Sequence, residues 1–307
     1  MESTSPRPAP LRPSAADAVA AHSPASDPGT HRALLAAVDP DPAALRAAAT
    51  ATIRHYRAEG EPTPAQLADI DRRTLASILD AAVERAAGPL TAPRAAEAKV
   101  GGCCRDHALL AVGVLREHGI PARSRLGFAD YFTPGFRHDH VVVERWDDTE
   151  GRWCRLDPEL APGSRGFDVA DLPTGSDAPF ETAAEAWIAI RAGRADPGRY
   201  GVFPGADVAG EWFVHGYVIA DVVHRFGTET LLWDEWGAMA SFGGPVEAAA
   251  ADLADRLARL TVDADAGDAE AEDELARFAE SDARVRPGRE VAVFSPSGLR
   301  TRIELPR

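Results

Sequence analysis

Two adjacent thiols, Cys103 and Cys104, two histidines one residue apart, His138 and His140, and the carboxylate of Asp157 could together do covalent chemistry. A thiol beside an imidazole is a nucleophile with a base, and a carboxylate behind the imidazole holds it in one tautomer and one orientation. Cys104 follows Gly101-Gly102-Cys103 and runs into Arg105-Asp106-His107-Ala108-Leu109-Leu110. This reads as a glycine turn feeding a helix, with the thiol in the first turn. The positive end of the helix dipole favours thiolate over thiol, so the position suits a reactive cysteine. Cys103 and Cys104 cannot both face one imidazole, because one step along a helix turns a side chain by about 100°. The same residue types also allow a metal site of Cys104, His138 and His140. Metal-binding cysteines usually come as spaced pairs, however, and a vicinal pair with a distant His-x-His is poor zinc spacing. The expectation is a site without metal or cofactor.

The elements that must position these groups are legible nearby. Cys104, Ala108, Ala111, Val112 and Leu115 mark the buried stripe of a helix, which Gly119 and Pro121 end. His140 opens the run Val141-Val142-Val143-Glu144-Arg145-Trp146. A polar turn follows, Asp147 to Gly151, and then Arg152-Trp153-Cys154-Arg155-Leu156-Asp157-Pro158. Two β-rich runs around a glycine-containing loop predict a hairpin. If Trp146 pairs with Trp153, Asp157 lies opposite Val142 and diagonal to His140 on the same face, about 7 Å away at Cα. A slip of one residue would send Asp157 to the other face. His138 shares the parity of His140, so parity alone does not choose between them; the diagonal to Asp157 favours His140.

In these residues the chain resembles the transglutaminase-like superfamily of papain-type cysteine enzymes. The matching motifs are Gly102-Cys103-Cys104-Arg105-Asp106 for G-x-C-R-D, Gly119 to Arg123 for G-I-P-A-R, Asp139-His140 opening a strand, and Trp153 to Pro158 closing the next. The likeness extends to a bacterial subgroup through Gly127 to Gly135, Trp212 to Gly216 and Leu231 to Gly237, covering roughly residues 45–245. The pattern departs at Cys103, at His107 and at Val141. The resemblance implies an α+β fold, a papain/transglutaminase-like core with the nucleophile helix packed on an antiparallel sheet and helices added. It implies Cys104 as nucleophile, His140 as base and Asp157 as orienter, with the Cys104 backbone N–H as first oxyanion donor. His55 and Tyr56 are candidates for the second donor.

The 307 residues allow a sizeable core. A net charge of −15 with no basic cluster argues against a nucleic-acid partner. No apolar stretch reaches membrane-spanning length and no secretory leader is evident. Three cysteines, two of them adjacent, do not form a disulfide framework, so a reduced, cytoplasmic protein is expected. Lys99 is the single lysine among many arginines, a coding bias of high-GC bacterial genomes. Residues 1–30, rich in Pro, Ser and Ala, are expected to be a disordered tail. Residues 31–245 are expected to form the catalytic domain, with helices over 31–58 (interrupted at Asp39 to Pro42), 64–86, 181–192 and 212–226. Residues 246–307 read as an acidic helical segment and a terminal β-hairpin around Ser295 to Gly298.

The chemistry expected is acyl transfer on a peptide, amide or thioester. Water as acceptor gives a hydrolase and an amine gives a transamidase. Two other readings stand beside it: an amide-forming small-molecule acyltransferase of secondary metabolism, and a non-catalytic binding module. Oligomeric state is left open.

Overall fold

The computed structural model describes residues 18–175, 177–239 and 243–305. Short helices α1 (Arg32–Ala36) and α2 (Pro42–Thr52) open the chain and lead into strand β1 (Ile53–His55). Helices α3 (Pro64–Asp69) and α4 (Leu75–Arg85) precede strand β2 (Val100–Gly102). Then comes helix α5 (Cys104–Glu117), followed by strands β3 (Ala122–Thr133), β4 (Phe136–Asp147), β5 (Arg152–Leu156) and β6 (Phe180–Thr182). Helix α6 (Ala183–Arg191), strand β7 (Tyr200–Gly201), helix α7 (Glu211–Arg225) and strand β8 (Asp234–Glu235) follow. Helices α8 (Ala248–Asp265) and α9 (Ala269–Ser281) and strands β9 (Glu290–Phe294) and β10 (Arg300–Glu304) complete it. None of the described helices is long and apolar enough to cross a membrane.

Helix α5 is the centre of the molecule, buried from Cys104 to Arg116. One flank packs on β3 and β4 and the other on α1, α2 and α4. Its Leu109, Leu110, Val112 and Leu115 are essentially inaccessible, and full burial of such a side chain contributes about 1.5–3 kcal/mol. The main sheet runs β5-β4-β3-β6, antiparallel throughout, with β7 joining the start of β4 in parallel. Leu126, Phe128, Val141 and Val143 give one sheet face to the main core, and Ala129 and Val142 join Leu172 and Phe180 on the other. Together these make the α+β core of papain/transglutaminase type that the sequence led us to expect.

Gly119, at φ +72°, ends α5. The Gly119 and Ile120 N–H groups close back onto the carbonyls of Arg116 and Leu115, so the stop signal works as its residues predict. Trp146 does pair with Trp153, their rings edge to face at 5.7 Å.

Several expectations need correction. Residues 1–17 of the expected tail lie outside the described residues. Residues 18–30 are ordered, because α5 needs them: Arg116 donates to the Val19 carbonyl and to Ser26 Oγ, and both residues are buried. The helix expected to reach residue 58 stops at Thr52, and β1 takes over. The helix expected over 64–86 breaks into α3 and α4, because the Thr74 side chain accepts the Ser77 N–H and caps a new start. The glycines before Cys103 form strand β2 rather than a turn.

Helices α8 and α9 and the hairpin of β9 and β10 lie within 246–305, and they share the main core. A buried ionic network binds them to the sheet. Arg125 Nη1 reaches Glu144 at 3.0 Å and Arg125 Nη2 reaches Asp221 at 3.0 Å, while Arg225 meets Asp265 at 2.6 Å and also pairs with Glu272.

Candidate active site

Strands β1 and β2 run parallel, with His55 beside Gly102. The glycines of β2 let its neighbours come close: a Cβ at Gly101 would lie 2.0 Å from the Gln66 carbonyl oxygen of α3, and one at Gly102 would lie 2.8 Å from Asp106 Oδ2 and 2.9 Å from Ile53 Cγ2 of β1. Cys103 is the N-cap of α5. The Asp106 N–H donates to the Cys103 carbonyl at 2.9 Å while Asp106 Oδ2 accepts the Cys103 N–H at 2.9 Å, so the Asp106 carboxylate closes the start of the helix. Cys104 takes the first helical position, where the backbone N–H has no intrahelical acceptor and points toward whatever sits at the helix mouth.

On the hairpin, His140 Nε2 lies 2.8 Å from Asp157 Oδ2, and both residues are buried. The Tyr131 hydroxyl donates to the same oxygen at 2.7 Å, and Asp157 Oδ1 accepts the Glu159 N–H at 2.9 Å. Burial raises the Asp157 carboxyl, but His140 and these donors outweigh it and hold it below the usual carboxylate range. An ionised carboxylate only accepts, so Nε2 carries the hydrogen and Nδ1 is the basic nitrogen. Burial lowers His140, but the Asp157 charge and hydrogen bond prevail and set its pKa above 6.5. Tyr131 and Phe132 meet the imidazole edge to face, at 6.0 and 5.1 Å between ring centres. The rival, His138, is fully engaged elsewhere: Nδ1 is 3.0 Å from the Val202 carbonyl and Nε2 is 2.9 Å from Thr133 Oγ1. The Cys104–His138–His140 metal set is therefore not assembled.

Around Cys104 the structure gathers groups that sequence reasoning missed or left aside. The nitrogen, sulfur and oxygen atoms of His55, Cys104 and Glu159 lie within 4.8 Å of one another. His55 Nδ1 accepts the Arg57 N–H at 3.3 Å, so the neutral ring carries its hydrogen on Nε2. Burial and the neighbouring His107, Arg57 and His140 hold His55 well below 6.5, hence neutral. Glu159 Oε1 is buried without a hydrogen bond, 3.8 Å from His107 Nδ1, and burial raises this carboxyl. Glu159 and Asp139 act electrostatically on both Cys104 and His140, and His140 acts on His55, so the three share one field.

That field overturns the expectation of a dipole-stabilised thiolate. The hydrogen bond with Cys103, then burial, then the negative charges of Glu159 and Asp139 push the Cys104 thiol well above its ordinary pKa. The helix dipole is worth about 0.3–1 kcal/mol near a surface, less than desolvating an unpaired charge in a buried site. The resting sulfur is protonated, and Cys104 is 1% exposed.

Asp157 and His140 could be found from the hairpin alone. Tyr131 sits in the Gly127 to Gly135 motif but carried no chemical signal there. Glu159 follows Pro158 with no periodic cue.

Residues 59–158, which contain all three expected site residues, match the family model of the transglutaminase-like superfamily. Among solved structures, the chain is similar to one described as "a Putative Cysteine Protease from Cytophaga hutchinsonii". The two are 17% identical with a TM-score of 0.29, and the match spans 50% of this chain and 45% of that one. No curated protein matches.

Proposed function

We propose that this chain, transglutaminase-like over residues 59–158, is a cysteine-dependent acyl-transfer enzyme in which Cys104 is the nucleophile, His140 the base and Asp157 the orienter. The observation that carries the reading is the buried 2.8 Å bond from His140 to Asp157, which leaves Nδ1 free to take a proton. In the first step His140 Nδ1 removes the Cys104 proton and the sulfur adds to an amide or thioester carbonyl carbon. The developing oxyanion accepts hydrogen bonds from the Cys104 backbone N–H and from His55, whose ring lies within 4.8 Å of the sulfur. The tetrahedral adduct collapses, the C–N or C–S bond breaks, and the leaving group departs with the proton from His140. A thioester on Cys104 remains. Water or an amine, deprotonated by His140, attacks it and frees the thiol. Hydrolysis and transamidation use the same residues; the acceptor admitted to the site decides between them.

Intact mass spectrometry after exposure to small thioesters and glutamine peptides tests this. Native protein is expected to gain one acyl group, mapped to Cys104, and Cys104→Ala to gain none, while Cys103→Ser keeps it. Cys103 has a claim of its own, because it lines an apolar cavity that Cys104 does not. An adduct on Cys103 would move the nucleophile there. If native protein gains no adduct and neither thiol reacts with iodoacetamide, the chain is a non-catalytic module.

A further inference from the structure

A cavity of about 290 Å³ lies between α7, the segment Leu231 to Glu235 and the turn of the terminal hairpin. Tyr56, Trp212, Phe213, Tyr217 and Trp233 line it together with Cys103 and Asp139. The Cys104 thiol acts electrostatically on two of these residues, Tyr56 and Tyr217, so the sulfur lies close to this wall. Phe203, 52% exposed, stands at its edge. Contacts lead from this edge toward His140: the carbonyl of Val202, which also lines the cavity, accepts from His138. Phe132 meets His138 at 5.8 Å and His140 at 5.1 Å.

Two features say what the space is for. The first is Gly216, in the interior of α7, where a glycine weakens a helix. Glycines kept in such positions usually permit close approach, as Gly101 does. A Cβ at Gly216, however, would meet nothing within 4 Å. This glycine leaves room that no part of the described chain fills. The second is the state of the ionic groups at the wall. Asp139 accepts from Arg57 and Tyr217, at 3.4 and 2.8 Å, and Asp234 accepts from Arg73 at 2.6 Å. These carboxylates are already matched, so they do not call for a charged ligand. The rest of the wall sets rings among the aliphatic side chains of Leu126, Val208, Leu232 and Met239, and the Arg300 guanidinium is held by the Ser295 and Leu299 carbonyls. Ring faces and edges pair best with another ring, and apolar cavities of this kind take apolar guests.

We propose that this cavity is the acyl pocket and that it takes the aromatic end of an arylalkyl amide or thioester whose carbonyl is presented to Cys104. The inference rests on the reading of Cys104 as the residue acylated. Its test compares N-acetylcysteamine thioesters of 3-phenylpropanoate and acetate. Native protein is expected to prefer the phenylpropanoyl donor at least tenfold in kcat/KM. Gly216→Leu, which fills the space while favouring the helix, is expected to cut that ratio at least tenfold through a raised KM. A native ratio near one, or a ratio unmoved by Gly216→Leu, overturns the assignment.

Should Gly216→Leu not fold, Cys104→Ala supplies the second measurement. Saturable binding of 3-phenylpropanamide, read by fluorescence of the tryptophans, is expected, and its absence at millimolar ligand also overturns the pocket. Binding by Cys104→Ala with no acylation of native protein would sink the catalytic reading and leave the pocket standing.

Discussion

The chemistry of single residues here turns on where two protons rest. Asp157 keeps one on His140 Nε2, and the buried, carboxylate-flanked Cys104 keeps the other on sulfur. Activity therefore needs a neutral His140 as base, and its pKa lies above 6.5 because Asp157 favours the imidazolium. The acid limb of kcat/KM is expected to have its midpoint above 6.5, with activity rising as pH rises through it. Asp157→Asn removes the charge that raises this pKa, so the midpoint should move to lower pH. The rate at its plateau should fall by roughly 10³–10⁴, because an amide no longer enforces the tautomer. A pH-rate profile of the two proteins checks both parts; an unshifted midpoint would mean that Asp157 does not act on the base.

At the scale of elements, the site depends on backbones brought unusually close. Strand β2 lies beside β1, and its glycines let α3 and Ile53 approach at distances that a Cβ would not allow. Gly101→Ala would force a methyl 2.0 Å from the Gln66 carbonyl oxygen. It should lower stability by about 2 kcal/mol or more and disturb the site along with it. Gly216→Ala is the contrasting case, an open helix-interior position where alanine should add about 1 kcal/mol. Thermal unfolding of the two variants should shift Tm in opposite directions. Shifts of the same sign would contradict the difference in packing.

Across the whole molecule, the C-terminal helices are tied to the sheet by buried ion pairs, and the far end of α7 holds a neutral histidine. His224 hydrogen-bonds Ser124 at 2.9 Å and Thr230 at 3.3 Å, and burial lowers its pKa to about 3. The unfolded chain takes up that proton near pH 6.5 and the folded chain does not. Stability from this group is thus complete above about pH 6.5 and is lost as pH falls toward 3, at about 1.4 kcal/mol per pH unit. Between pH 6.5 and 5 the loss from His224 alone should be about 2 kcal/mol. The network carboxylates Glu144 and Asp265 have depressed values, so their contribution is lost only at lower pH. Urea denaturation at the two pH values, with His224→Gln flattening the dependence, checks the assignment. An equal slope in native and variant protein would remove His224 as its source.

By itself the sequence determined what is local and periodic: the α5 stripe, its Gly119 stop, and the hairpin register set by Trp146 and Trp153. That register carries Asp157 to His140, because a strand has a period of two and one buried face tolerates no slip. The reading failed where local pattern meets long-range demand. Residues 18–30 have few large apolar side chains, yet Val19 and Ser26 accept hydrogen bonds from Arg116 on α5. Only the tertiary structure brought His55 and Glu159 to Cys104, put Tyr131 on Asp157, and opened a cavity beside Gly216. It also reversed the expected state of the thiol. The spacing of residues along a helix predicts the dipole, but not the hydrogen bond that the neighbouring Cys103 makes with this thiol, nor the burial and carboxylates brought by segments distant in sequence, all of which act against the thiolate.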